Sequence, residues 1–259
     1  MEVMSENGHI IKDKAAVLDK WKSSFSALYN VLDREDNAIE EIYAESDGAL
    51  EIDETLNNNI SVQEVRKAIF KAKSGKSLGF DGFPYEIFKN DTFVSYLHVL
   101  FNVCFNSGKI SSDWGKCIVN PTPKSSTNDI RDPMSYRGIS LSPTVYKLYS
   151  SVLSDTLSLW AESNEKLVDE QNGFRKKRST VDHLSSVTNL IETRIKHKMS
   201  TFAAFIDFRK AYDSVHRGRL WRKLGSTGIH GKMHGAIKSL YDCISSCVKV
   251  QTGLKLKQV

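Results

Sequence analysis

In a chain of 259 residues, no apolar run approaches the roughly 18 residues that a bilayer-spanning helix requires. The start, Met1 to Ile10, has neither the basic region nor the apolar core of a secretory signal. An intracellular protein, nuclear or cytoplasmic, is therefore expected. Cysteine is scarce: Cys104, Cys117, Cys243 and Cys247 form no Cys-x-x-Cys pair and are expected to be reduced thiols. His230, His234, Cys243 and Cys247 are zinc-type residues, but His234 and Cys243 lie nine apart on one predicted helix. At 1.5 Å per residue that is roughly 13 Å, too far to share a metal. No Gly-x-Ser-x-Gly elbow occurs, which leaves serine-nucleophile chemistry unsupported.

What is present is ordinary globular composition, 40% hydrophobic and 26% charged, enough for one large domain or two. The net charge of +5 conceals a strong polarity. Residues 1–60 carry 5 basic and 14 acidic groups, whereas residues 171–232 carry 14 basic and 4 acidic groups. A polyanion suits the second segment and would be repelled by the first; a solvated basic face is the alternative.

Periodicity predicts an amphipathic helix over Lys14–Tyr29, followed by an acidic stretch around 34–59, so that residues 1–60 read as a linker or outer subdomain. Ser61-Val-Gln-Glu64 is a capping box that opens a helix over about 62–73. The loop after it, Lys73 to Pro84, contains Gly75-Lys76-Ser77 but lacks the glycine and preceding strand of a P-loop. It is a cationic loop in which Lys76 and Gly79 could let a phosphate backbone approach, or one in which the glycines simply form turns. Asn120–Lys124 and Tyr136–Leu141 predict a hairpin with a long tip. Helical spacing returns at 144–159, 181–195, around 220–224 and at 233–244. A second hairpin is expected around Thr252-Gly253.

The segment Phe202 to Asp213 carries the chemistry. Five apolar residues suit a buried strand that delivers Asp207 at its exit, where a carboxylate can meet solvent and a hard cation. An aspartate that merely caps the next turn is the plainer reading. The basic turn Phe174-Arg-Lys-Lys-Arg178 suits strand binding by stacking and phosphate neutralisation, or nuclear localisation.

Four ordered blocks then resemble the reverse transcriptases of non-LTR, LINE-type retrotransposons. They are Val65–Glu86 with its Lys-Ser-x-Gly-x-Asp-Gly-x-Pro-x-Glu pattern; Pro123-Lys124 through Tyr136–Leu141 and Tyr146-Lys147; Gln171–Arg175 with Arg178-Ser-Thr180; and Phe205–Asp213. Gly8–Tyr29 is similar to the linker that precedes such domains. The resemblance implies an α/β (α+β) fold, a partial right-hand polymerase. Fingers would span 61–200, the beginning of the palm 201–259 and an acidic extension 1–60. It implies Mg²⁺, with Mn²⁺ as the alternative, held by Asp207 and the Phe208 carbonyl. Lys124, Arg137, Phe208, Ala211 and Tyr212 would meet the incoming dNTP, with Tyr212 beneath the sugar. Lys76, Gly79, Gly173, Phe174, Arg175 and Arg178 would contact the RNA template and the DNA primer or target.

The resemblance also defines a gap. An aromatic-x-Asp-Asp turn should supply further carboxylates, and no Asp-Asp pair occurs here. Asp213, six residues beyond Asp207, is not expected to replace it. The remaining palm and the thumb would then be partners missing from this chain, which alone is expected to be inactive. The other readings are a repurposed nucleic-acid-binding relic and a palm polymerase akin to a group II intron maturase.

Overall fold

The computed structural model describes residues 2–5, 7–29, 52–124, 129–208, 211–212, 215–249 and 257–258. It divides into two compact units, residues 1–154 with 212–259, and residues 155–211. The acidic stretch over 30–51, Asp213 and the turn at Thr252-Gly253 lie outside the described residues.

The larger unit is organised by its hairpin. β3 (Lys116–Pro123) and β4 (Tyr136–Leu141) pair antiparallel in a register that sets Val119 against Ser140 and Thr122 against Arg137. β5 (Ser245–Val248) joins β3 in parallel, and β6 (Lys257–Gln258) pairs antiparallel with β5, giving the order β4-β3-β5-β6. A short pair, β1 (Val3–Met4) with β2 (Ile10–Ile11), precedes α1 (Lys14–Tyr29).

Strand alternation turns Val119 inward, where it meets Val17, Trp21 and Phe25 of α1 together with Val3 and Val248. Trp21 stacks with Phe25 at 6.0 Å and meets the edge of Tyr136 at 5.0 Å. Gly138 has no room for a side chain beneath this helix: a Cβ there would lie 2.8 Å from the Phe25 ring and 2.9 Å from Val119. Residues 14–29, expected as part of a linker or outer subdomain, pack against the sheet of the larger unit. The helical spacing was visible, but the long-range partner of its apolar face was not.

α2 (Glu54–Asn57), α3 (Val62–Lys71), α5 (Asp91–Ser107) and α9 (Gly231–Asp242) pack together, with the short α4 (Tyr85–Phe88) between α3 and α5 in the chain. The capping box forms as expected, with Glu64 N–H donating to Ser61 and Ser61 N–H donating to Glu64. Asn102 on α5 both accepts from Ile60 N–H and donates to Ile60 C=O, each at 2.9 Å, fixing the entry to α3. Phe101, Trp114 and Tyr149 of α6 (Thr144–Ser163) form an aromatic cluster with centroids 5.1–6.2 Å apart.

The glycine-rich loop explains much of the first sequence block. Asp81 accepts from Thr144 N–H at 2.8 Å, capping α6 from 63 residues away, while the Thr144 hydroxyl donates to Phe83 C=O at 2.6 Å. Gly79 is buried against Ser142-Pro143, where a Cβ would lie 2.7 Å from Pro143 N. Glu86 accepts from Gly75 N–H at 2.7 Å, and that bond lowers its carboxyl pKa. The pattern is therefore a brace across the β4–α6 turn. Loss of a helix cap costs about 1 kcal/mol, so Asp81→Ala should lower unfolding stability by about that amount in denaturant titration, whereas Asp81→Asn should retain most of it.

The smaller unit contains the end of α6, the turn 164–179 and α7 (Thr180–Lys196), which begins with a second capping box, Ser179 with Asp182. α7 has the expected bounds, yet Val181, Leu184, Leu190 and Ile195 are each 59–68% exposed. The strand expected over 202–206 does not form: residues 201–208 have no regular secondary structure, and Phe202 and Phe205 are 95% and 93% exposed. A strand needs ladder partners as well as apolar residues. Among the described residues the four-stranded sheet forms without this segment.

Candidate active site and nucleic-acid interface

Lys124 and Arg137 are positioned by one hairpin. Thr122 faces Arg137, and Lys124 N–H continues the ladder by donating to Ser135 C=O at 2.9 Å. Residues two apart on a strand share a face, so Lys124, Thr122 and Arg137 lie on the exposed side, opposite the side that holds α1. Lys124 Nζ donates back to Met134 C=O. Arg137 has no carboxylate partner among the described residues, which leaves its planar fork open to an anion. Two cations thus share one exposed hairpin face.

The neighbouring Tyr146 and Lys147 are structural ties. The Tyr146 hydroxyl donates to Leu240 C=O at 3.3 Å, and burial pushes its pKa up to about 12. Lys147 stands over the Tyr85 ring at 5.1 Å, and burial lowers its pKa. Lys76 is exposed on the loop, whereas Gly79 is turned inward, so its missing side chain serves packing.

In the smaller unit the basic turn differs most from expectation. Arg175 donates to both Glu162 oxygens, at 2.9 and 2.7 Å, and to Val168 C=O at 2.8 Å; its side chain is only 9% exposed. Arg175, expected as a nucleic-acid contact, ties the turn closed in this structure through Glu162 and the Val168 carbonyl. Lys176 pairs with Asp155 at 2.8 Å and Arg178 with Asp169 at 3.1 Å. The three carboxylates lie 9 to 21 residues away in sequence, so no local pattern announced them. Gly173 and Phe174 border an open groove of about 720 Å³ with Asn172, Arg178, Ser179 and His183. Phe174 is 92% exposed and holds a left-handed backbone, φ 63°, unusual for a bulky residue.

Arg175 beside Glu162 holds the carboxyl below its ordinary value of 4.5. A depressed folded-state pKa stabilises above the unfolded value and loses that contribution as pH falls through the folded one. The turn should accordingly become more protease-sensitive below about pH 4.5. Asp182, lowered by its bond from Ser179, titrates in the same direction. Glu162→Gln should therefore flatten the pH dependence of proteolysis only in part and raise cleavage within 164–179 at neutral pH, read by mass spectrometry of the fragments.

Asp207 and Phe208 lie exposed in the unpaired 201–208 segment, and Ala211 and Tyr212 form an exposed turn beyond it. Lys124, Arg137 and Tyr212 belong to the larger unit, Asp207, Phe208 and Ala211 to the smaller one. Among the described residues no group of three His, Cys, Asp or Glu side chains could hold a metal ion. The Asp207 carboxylate and Phe208 carbonyl are oxygen donors of the hard type, but one carboxylate does not complete a two-cation site.

The fold thus mixes helix and strand and sets two cations on one hairpin face, ahead of the Asp207 segment in the chain. Residues 122–258, just over half of the chain, match the family model described as reverse transcriptase (RNA-dependent DNA polymerase), and the chain belongs to that family. Similar curated proteins fall in the non-LTR branch that the four blocks resemble. The "Transposon TX1 uncharacterized 149 kDa protein" of Xenopus laevis is 24% identical over 97% of this chain and 19% of its own length. The "Probable RNA-directed DNA polymerase from transposon BS" of Drosophila melanogaster is 26% identical over 77% of this chain and 22% of its own. The "RNA-directed DNA polymerase from mobile element jockey" of the same organism is 25% identical over 63% and 18%. The chain thus spans about a fifth of the length of these relatives.

Proposed function

We propose that the chain supplies the fingers and the beginning of the palm of an RNA-directed DNA polymerase of a non-LTR retrotransposon. The observation that carries this reading is the single hairpin face shared by Lys124 and Arg137, inside the region matched by the family model. These cations would grip the triphosphate of a dNTP. Tyr212 would lie under its sugar, and Asp207 with the Phe208 carbonyl would supply the first oxygens to Mg²⁺. The remaining carboxylates would come from outside these residues, because one carboxylate cannot support two-metal transfer. The chain alone is then inactive.

Templated primer extension tests this, with RNA template, DNA primer, dNTPs and Mg²⁺, and an Asp207→Ala control. Extension by the chain alone above that control would overturn the stated incompleteness. The unpaired Asp207 segment favours a second reading, a nucleic-acid-binding relic. Under that reading, binding falls with salt and ignores dNTP and Mg²⁺.

A further inference from the structure

The basic turn 174–178 has little free positive charge to offer a polyanion. Three of its four cations, Arg175, Lys176 and Arg178, are already paired with Glu162, Asp155 and Asp169. The cations of α8 (Arg217–Ser226) and α9 differ. Residues 215–242 carry six Lys and Arg, three His and one carboxylate, Asp242. Arg217, Arg219, Lys223, Lys232 and Lys238 are exposed, and none has a carboxylate partner among the described residues.

These charges surround aromatic rings. Trp221 on α8 meets the edge of Tyr241 on α9 at 5.2 Å and of His234 at 6.4 Å. The Arg217 guanidinium stands 6.0 Å over the Tyr241 ring, and Tyr241 is 38% exposed. Lys238 lies one helical turn from both His234 and Tyr241, on the same side of α9. The opposite side of α9 is fixed in the core through Met233, Ala236 and Leu240, so the patch sits on an anchored helix. Met233 N–H also donates to Asn57 at 3.3 Å.

The geometry points to a single-stranded RNA site on the α8–α9 surface, formed by residues other than the hairpin cations and the Asp207 segment. Unpaired cations neutralise phosphates, while the partly exposed Trp221 and Tyr241 rings beside them offer aromatic surface to unstacked bases, a combination that suits a single strand better than a duplex or an acidic peptide. The site does not depend on polymerisation, so its test is binding without dNTP or Mg²⁺.

Fluorescence anisotropy with a labelled single-stranded RNA, titrated with salt, reads it directly. Each neutralised phosphate contributes a slope of about 0.7 in log K against log salt for a single strand. Replacing Arg217, Arg219, Lys223 and Lys238 together by Gln should weaken binding at least about tenfold and flatten the slope by about 3. The same charge removed at Lys12, Lys14, Lys22 and Lys109 should change affinity less than about twofold, the contacts being local. Tyr241→Leu should cost about fivefold or more through lost stacking. Of the four tryptophans only Trp221 is not buried, so RNA should quench fluorescence in the parent and not in Trp221→Phe. Circular dichroism melts establish that the variants are folded. The inference is overturned if the α8–α9 quadruple variant binds like the parent, if the control quadruple loses as much, or if a duplex or polyglutamate binds equally well.

Discussion

Trp21→Ala is expected to destabilise the larger unit by about 3–5 kcal/mol, the range for removing a buried tryptophan. Trp21 is 1% exposed and lies between Phe25 and Tyr136, so truncation removes contacts to its own helix and to β4 at once. Its indole Nε1 is buried without a hydrogen-bond partner among the described residues, an arrangement that already costs free energy. Trp21→Phe relieves that cost while keeping an aromatic ring, and should lose less than half as much stability as the alanine variant. Urea titration followed by circular dichroism checks both, because α1 and the sheet should unfold together. If Trp21→Ala left the midpoint unchanged, α1 would be an appendage instead of a wall of the core. The consequence reaches the candidate site, since Tyr136 and Gly138 pack against α1 while Arg137 between them faces solvent.

Local rules made much of this fold legible. The capping box at Ser61, the hairpin at 120–141 and the helices over 144–163 and 180–196 stand where turn chemistry and 3.6-residue spacing put them. What sequence could not supply was the partner of each face. α1 looked like an extension because Val119 and Val248, which cover it, lie far along the chain. The 202–206 run looked like a strand because its composition is right, but its hydrogen bonds must come from another segment. The same limit applies to charge. Arg175 and Arg178 lie beside Glu162 and Asp169, whereas Arg217 and Lys238, equal to them in a count of charge, have no carboxylate partner among the described residues. A net charge by segment therefore overstates the basic turn and understates α8–α9.

Asp207→Ala carries the largest expected effect on activity. On the proposed function, in a longer polypeptide that supplies further carboxylates, the substitution should lower dNTP incorporation by at least about 1000-fold, close to 4 kcal/mol of transition-state stabilisation. Asp207 is exposed and holds no hydrogen bond among the described residues, so folding should change by less than about 0.5 kcal/mol. Activity and stability would then separate, as expected for a residue that meets substrate or metal and unlike one that caps a turn. Arg137→Ala should act differently: it should raise the apparent KM for dNTP more than it lowers kcat if its guanidinium grips the triphosphate in ground and transition states alike. Steady-state incorporation on an RNA template, with melting curves of each variant, distinguishes these outcomes. An Asp207→Ala protein that extends primers within tenfold of the parent would show that the catalytic carboxylates lie elsewhere, and equal losses of stability and activity would return Asp207 to a structural role.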